Sequence, residues 1–183
     1  MVRKGGGFML YRIRQAVPRD MPRILDIYAY ARHFMADHGN PYQWGDHHPR
    51  EEQLWEDIRR GDLFVIACGM DIHGVFAFLW GEDPTYARIY DGAWHYNVPY
   101  GTIHRIAGDG SGGILHACVE YCEKLVGCLR IDTHHDNVVM QNALHKEGFR
   151  ECGTIYIADG TPRIAYDRVS ELGLLYPPFS GNI

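Results

Sequence analysis

Three features of this chain could do chemistry: a glycine-rich turn, a histidine inside an apolar strand, and a carboxylate at the start of a long loop. The turn is Gly108-Asp109-Gly110-Ser111-Gly112-Gly113, set between a strand-like run at 102–107 and a helix-like run at 114–125. The first N–H groups of a helix lack intrahelical partners, and the helix dipole favours negative charge there. The turn therefore reads as a site for a phosphate-bearing cofactor. His104 stands in the strand two residues before Ile106, and strand alternation places the two on one sheet face. An imidazole with an ordinary pKa of about 6.5 suits a general base near neutral pH. Glu82 could serve as a base or bind a cationic substrate. Asp132, within the apolar run 128–133, could orient a His or an Arg. Arg105 is expected to point away from His104 and to pair with an acid such as Asp132.

Two pairs, His47-His48 and His134-His135, invite a metal reading. Adjacent histidines rarely both ligate one ion, and no acid or cysteine completes a fixed spacing, so no metal is expected. The five cysteines are odd in number and form no C-x-x-C pair, which points to reduced thiols in a cytoplasmic protein. Cys118 and Cys122, one helical turn apart, read as a buried helix face.

These groups need elements to position them. Residues 10–15 alternate as a strand, and Val17-Pro18 opens a helix carrying Ile24, Ile27, Tyr28, Ala31 and Phe34. A second helix is predicted from Pro49 to Arg60, ending at Gly61. Runs 63–68 and 75–80 read as a hairpin around 69–74. Residues 81–100 are irregular and, with 42–48, hold many aromatics. That aromatic set is either a cover over the sheet edge or the wall of an acceptor pocket, with Trp44, Tyr86 and Trp94 as candidate substrate contacts. Asn137 caps a helix that Gly148 ends, and two strands close the order, 149–157 and 163–169. The pattern predicts a mixed α/β sheet with helices on both faces.

Length and composition fit one domain over 10–169. Residues 1–9 read as an arm that is flexible or foreign to the native protein, and 170–183 as a tail. The net charge of −5 gives no case for nucleic acid or an anionic membrane. No apolar run approaches the roughly 18 residues of a membrane span, and residues 1–8, with charge and glycines but no apolar stretch, are not expected to be a signal peptide. No Gly-Lys-Ser/Thr follows the glycines, and the turn comes late, which sets aside P-loop and dinucleotide folds.

The run Arg105-Ile106-Ala107-Gly108-Asp109-Gly110 and the later Leu129-Arg130-Ile131-Asp132-Thr133, Asn137 and Gly148-Phe149 resemble the GNAT superfamily of acetyl-CoA-dependent N-acetyltransferases, over about 11–169. The runs from His104, Met140-Gln141 and Ala158-Asp159-Gly160 are similar to a bacterial branch of it. The resemblance implies a mostly antiparallel central sheet with one parallel, splayed strand pair. It implies acetyl-CoA as cofactor, held by Ile106, Ala107, Gly108, Gly110, Ser111, Gly112, Gly113 and Ile114, with Asn137 beside its pantetheine or diphosphate arm. It implies a direct attack by a small-molecule or peptide amine, and one member has a catalytic His at the strand position similar to His104. The loop cation usual in the superfamily is absent, and Leu144 stands where many members have a Tyr that protonates the departing thiolate. A CoA-binding sensor or interaction module with little turnover is the alternative reading. The acceptor is left open, and a homodimer is compatible with the sequence.

Overall fold

The structure, a computed structural model, describes residues 2–4 and 7–170. Val2–Lys4 (β1) and Gly7–Met9 (β2) pair as a separate two-stranded ribbon, and the predicted tail beyond Ser170 lies outside the described residues. The main sheet has seven strands: Arg12–Gln15 (β3), Leu63–Cys68 (β4), Asp71–Trp80 (β5), Gly101–Gly108 (β6), Cys128–Thr133 (β7), Arg150–Tyr156 (β8) and Pro162–Val169 (β9). Their order is β3-β4-β5-β6-β7-β9-β8. Only β6 and β7 run parallel; the other neighbours are antiparallel.

The helices are Met21–Asp37 (α1), Glu51–Arg60 (α2), Ile114–Cys122 (α3) and Val138–Lys146 (α4). Apolar spacing sends α1 and α2 to one face, where Ile24, Ile27, Tyr28 and Leu54 pack on Val65, Val75, Ala77 and Ala107. The other face receives α3 and α4, with Cys118, Cys122 and Leu144 against Phe76, Ile103, Ile106, Leu129 and Ile131. Each fully buried Ile or Leu in these layers contributes roughly 2 kcal/mol. Burial pushes the Cys118 thiol well above its ordinary pKa, as suits an inert core residue.

The element bounds follow local chemistry. Asn137 caps α4 by accepting from the Met140 N–H at 3.1 Å, and Phe149 N–H returns to the Leu144 carbonyl at its end. The β4–β5 hairpin is tighter than predicted: β5 starts at Asp71. Its register slips between Ile66 and Ala67. The bulge there absorbs one residue, which periodicity alone does not reveal. The segment 81–100 is irregular apart from a 3-10 turn at Pro84–Tyr86. Tyr86 and Tyr100, with Trp94 and Tyr96 beside them, cover Cys128, Ile155 and Ala165 of the β7–β9–β8 half.

Candidate functional site

The parallel pair β6–β7 is joined only at Gly101–Leu129 and Thr102–Arg130. Beyond those residues the strands part, and their facing backbone groups lose ladder partners. A cavity of about 850 Å³ opens at this gap, lined by 103–108 of β6, 131–133 of β7, and residues of α1, α4 and the 42–48 loop.

The strand β6 is bulged where it enters the cavity. His104 faces Ala77 and Ala107 faces Val75, so two residues, Arg105 and Ile106, oppose the single Phe76. Arg105 has φ 52°, a left-handed conformation uncommon outside glycine. Two distant groups hold it: the Tyr28 hydroxyl donates to the Arg105 carbonyl at 2.9 Å, and Asp57 pairs with its guanidinium at 2.6 Å. Burial pushes the Asp57 carboxyl up, and Arg105 offsets this only in part. The bulge overturns the expected alternation. Ile106 joins Ile103 in the α3–α4 core, whereas His104 stays on the face of Ala77 and Ala107. Arg105 pairs with Asp57, not with Asp132.

His104 lines the cavity, and its Nε2 lies 2.7 Å from Oδ2 of Asp83, a buried carboxylate at the entry of the 3-10 turn. Burial pushes the Asp83 carboxyl up, but bonds from His104 and the Thr85 N–H outweigh this and hold it below its ordinary value. The Tyr86 ring stands edge-on to His104, centroids 5.7 Å apart, and its hydroxyl donates to Oδ1 of Asp132. Burial and then Asp132 push the Tyr86 phenol well above its ordinary pKa, so it stays a donor. Oδ2 of Asp132 lies 3.9 Å from Nε of the buried Arg163. Burial lowers the Arg163 pKa, with Asp132 opposing. His104, Asp132 and Arg163 line the cavity, and Tyr86 behind them touches both His104 and Asp132.

The glycine turn borders the cavity through Gly108, Gly110 and Ser111. A Cβ on Gly108 would sit 2.9 Å from Ile114 Cγ1, so glycine lets α3 start against the strand. Gly113, at φ 80°, is the N-cap of α3, and the Gly112 carbonyl accepts from the Tyr11 hydroxyl. Asp109 would repel an anion, but it is neutralised. Arg23 Nη2 donates to its Oδ2 at 2.6 Å, His73 Nδ1 lies 3.0 Å away, and the Ser111 N–H donates to its Oδ1. Burial raises the Asp109 pKa, but the bonds from Ser111 and His73 win and hold it low. Arg23 of α1 thus balances the acid of the turn.

The structure brings His104, Ile106, Ala107, Gly108, Gly110, Ser111, Ile114, Asn137 and Trp44 to the cavity wall. It does not bring Glu82, Tyr86, Trp94, Gly112 or Gly113 there. Glu82 is exposed beside Asp83, and Tyr86 and Trp94 belong to the aromatic cover. Asn137 also donates to Gln43 Oε1 at 3.0 Å, tying the 42–48 loop to α4. Leu144 is fully buried, so no phenol reaches the cavity from that position. His48 lines the cavity too, its pKa pushed down to about 4 by burial and then by Arg105 and Arg163. Asp83, Arg23 and Arg163 were not found as candidates in the sequence, and His48 was weighed there only as a metal ligand. The signal for Asp83 is the Asp-x-Thr spacing of a side-chain-capped turn ahead of the aromatic loop. Two donor trios also meet, His95–Cys152–Asp167 and His134–His135–Asp136, each within 4.8 Å. In the first, His95 Nδ1 is 2.8 Å from Asp167 and 3.2 Å from Cys152 Sγ, a self-satisfied hydrogen-bonded group.

No protein-family model matches the chain, and no curated protein sequence does. Solved structures do, and they define an acetyltransferase. A putative acetyltransferase from Staphylococcus aureus Mu50 is 22% identical, with TM-score 0.63, covering 86% of this chain and 97% of that one. An aminoglycoside N(6')acetyltransferase from Legionella pneumophila shares the fold at 11% identity and TM-score 0.63, covering 91% and 95%. A GNAT-family acetyltransferase from Streptococcus agalactiae 2603 is 30% identical, with TM-score 0.78, covering 88% of this chain and 96% of that one. The chain belongs to the GNAT family of acetyltransferases. Among the described residues, no helix is long and apolar enough to cross a membrane.

Proposed function

We propose that the protein moves an acetyl group from acetyl-CoA to a primary amine of a small molecule or peptide, by direct attack in a ternary complex. The observation that carries this reading is the His104–Asp83 pair on the wall of the cavity where β6 and β7 part. The residues present fit the cofactor. The backbone of Gly108, Gly110 and Ser111 with the start of α3 would hold the diphosphate, and Arg23 balances the charge of Asp109. Val139, Met140 and Ala143 offer an apolar strip beside Asn137 for the pantetheine arm. When bound, acetyl-CoA supplies the acetyl group as an activated thioester.

His104 accepts the proton of the attacking amine, directly or through water. Asp83 holds one ring nitrogen, which fixes the imidazole while leaving the other nitrogen for the amine. This assigns to Asp83 the carboxylate role expected of Glu82. The backbone near Ile106, held in the bulge, would offer an N–H to the thioester oxygen. Solvent or another cavity group protonates the leaving thiolate, because Leu144 is core. The rival reading, a CoA-binding module with little turnover, draws on that same leucine. A His104 packed away would favour it; His104 lines the cavity, which supports the enzyme. The protein would work in a cytoplasm, where its free cysteines stay reduced.

The test is thiol release from acetyl-CoA across an amine panel. His104→Gln is expected to lower kcat by roughly a hundredfold or more, with Asp83→Asn lowering it less. A wild-type rate from His104→Gln would remove the base from this account.

A further inference from the structure

Arg163, on β9, is 6% exposed and lines the cavity. A guanidinium carries five N–H donors, and burying it is expensive unless they find acceptors. Among the described residues Arg163 has a single hydrogen bond, from Nη1 to the carbonyl of its own neighbour Pro162 at 3.0 Å. Asp132 stands 3.9 Å from Nε, beyond hydrogen-bond reach, and its other oxygen already accepts from Tyr86. Asp159, at the cavity rim, is turned to the Thr161 N–H. The fork is thus underused and borders the cavity.

We propose that Arg163 anchors the carboxylate of the acceptor, and that the acceptor is an amino acid. This rests on reading the cavity as the acceptor site of acetyl transfer. A planar fork matches a carboxylate with two parallel bonds. A phosphate has similar fork chemistry, but Asp132 and Asp159 flank Arg163 and would repel a dianion more than a single carboxylate. The remaining charge supplies the complement. The ammonium group of a zwitterion would settle by Asp132, whose Tyr86 partner packs edge-on to His104, the base. Arg163 and Asp132 would then read the two ends of one amino acid and turn its nitrogen toward the reacting carbon. Trp44 and Tyr42, which also line the cavity, offer apolar surface to a side chain.

The experiment compares free amino acids with their methyl esters, the corresponding decarboxylated amines and phosphoethanolamine, using thiol release from acetyl-CoA by the whole protein. At least one free amino acid is expected to be acetylated, with kcat/KM about tenfold or more above its ester and amine. Arg163→Met should raise KM for that acid about tenfold or more and leave KM for acetyl-CoA and for the ester unmoved, with Arg163→Lys recovering part. Wild-type comparisons stand even if a variant fails to fold. Esters and amines accepted as well as acids would overturn the anchor while leaving the proposed reaction intact. So would a preference for phosphoethanolamine, an unchanged acid-to-ester ratio in a folded Arg163→Met, or no amino acid acetylated by protein that binds acetyl-CoA. Failure to bind acetyl-CoA would remove the cavity's reading and this proposal with it.

Discussion

At the residue scale, a proton path rests on pairings between groups far apart in sequence. His104 was legible because a lone imidazole in an apolar strand stands out. Its partner Asp83 was not, because residues 83 and 104 meet only through the fold, and Glu82 beside it offers the same carboxylate to a reader of sequence. Arg163 was hidden for the same reason, and so was the burial of His48. His48 yields a pH prediction. Burial, then Arg105 and Arg163, push its pKa down to about 4, so the fold holds it neutral. The unfolded chain takes up that proton at about pH 6.5. Between these values the unfolded state binds more protons, so the stabilisation is full above about pH 6.5 and declines as pH falls toward 4. The loss is on the order of 2 kcal/mol. Urea midpoints of wild type and His48→Gln at pH 7 and pH 4.5 check this: the variant should lose less, and an equal loss would contradict the assignment.

At the element scale, the bulge in β6 is the device that separates His104 from Ile106. Helix caps and strand runs were legible because Asn137, Gly148 and the 128–133 run act on their immediate neighbours. The bulge was not, since Arg105 adopts φ 52° under the grip of Asp57 and Tyr28, contributed by α2 and α1. Asp57→Ala leaves a buried guanidinium without its carboxylate and is expected to cost about 3 kcal/mol. Adding Arg105→Met should restore most of that loss, and chemical denaturation of both variants measures it. The two variants would also lose acetyl transfer if the bulge shapes the site; full activity in the double variant would detach the bulge from the chemistry. At the glycine turn, Gly112→Glu should weaken acetyl-CoA binding about tenfold or more by opposing the phosphates, whereas Gly112→Gln should not.

At the scale of the whole molecule, one sheet serves two halves. The α1–α2 face packs over β4–β6, and the aromatic segment 81–100 covers the β7–β9–β8 half. The cavity opens at the seam, where the parallel pair is joined at only two residue positions. The mixed sheet with helices on both faces was legible from the order of periodic runs, since a helix between strands implies a crossover. Which aromatics would be cover and which cavity wall was not legible, because that depends on how the loop is pinned through Tyr90 to Thr154. The central claim is that this seam holds acetyl-CoA. Calorimetric titration with acetyl-CoA, desulfo-CoA and ATP tests it most directly. The account predicts saturable, roughly micromolar binding of both CoA compounds and none of ATP, with Gly112→Glu weaker than Gly112→Gln. No heat from acetyl-CoA, or binding that Gly112→Glu leaves unchanged, would contradict it.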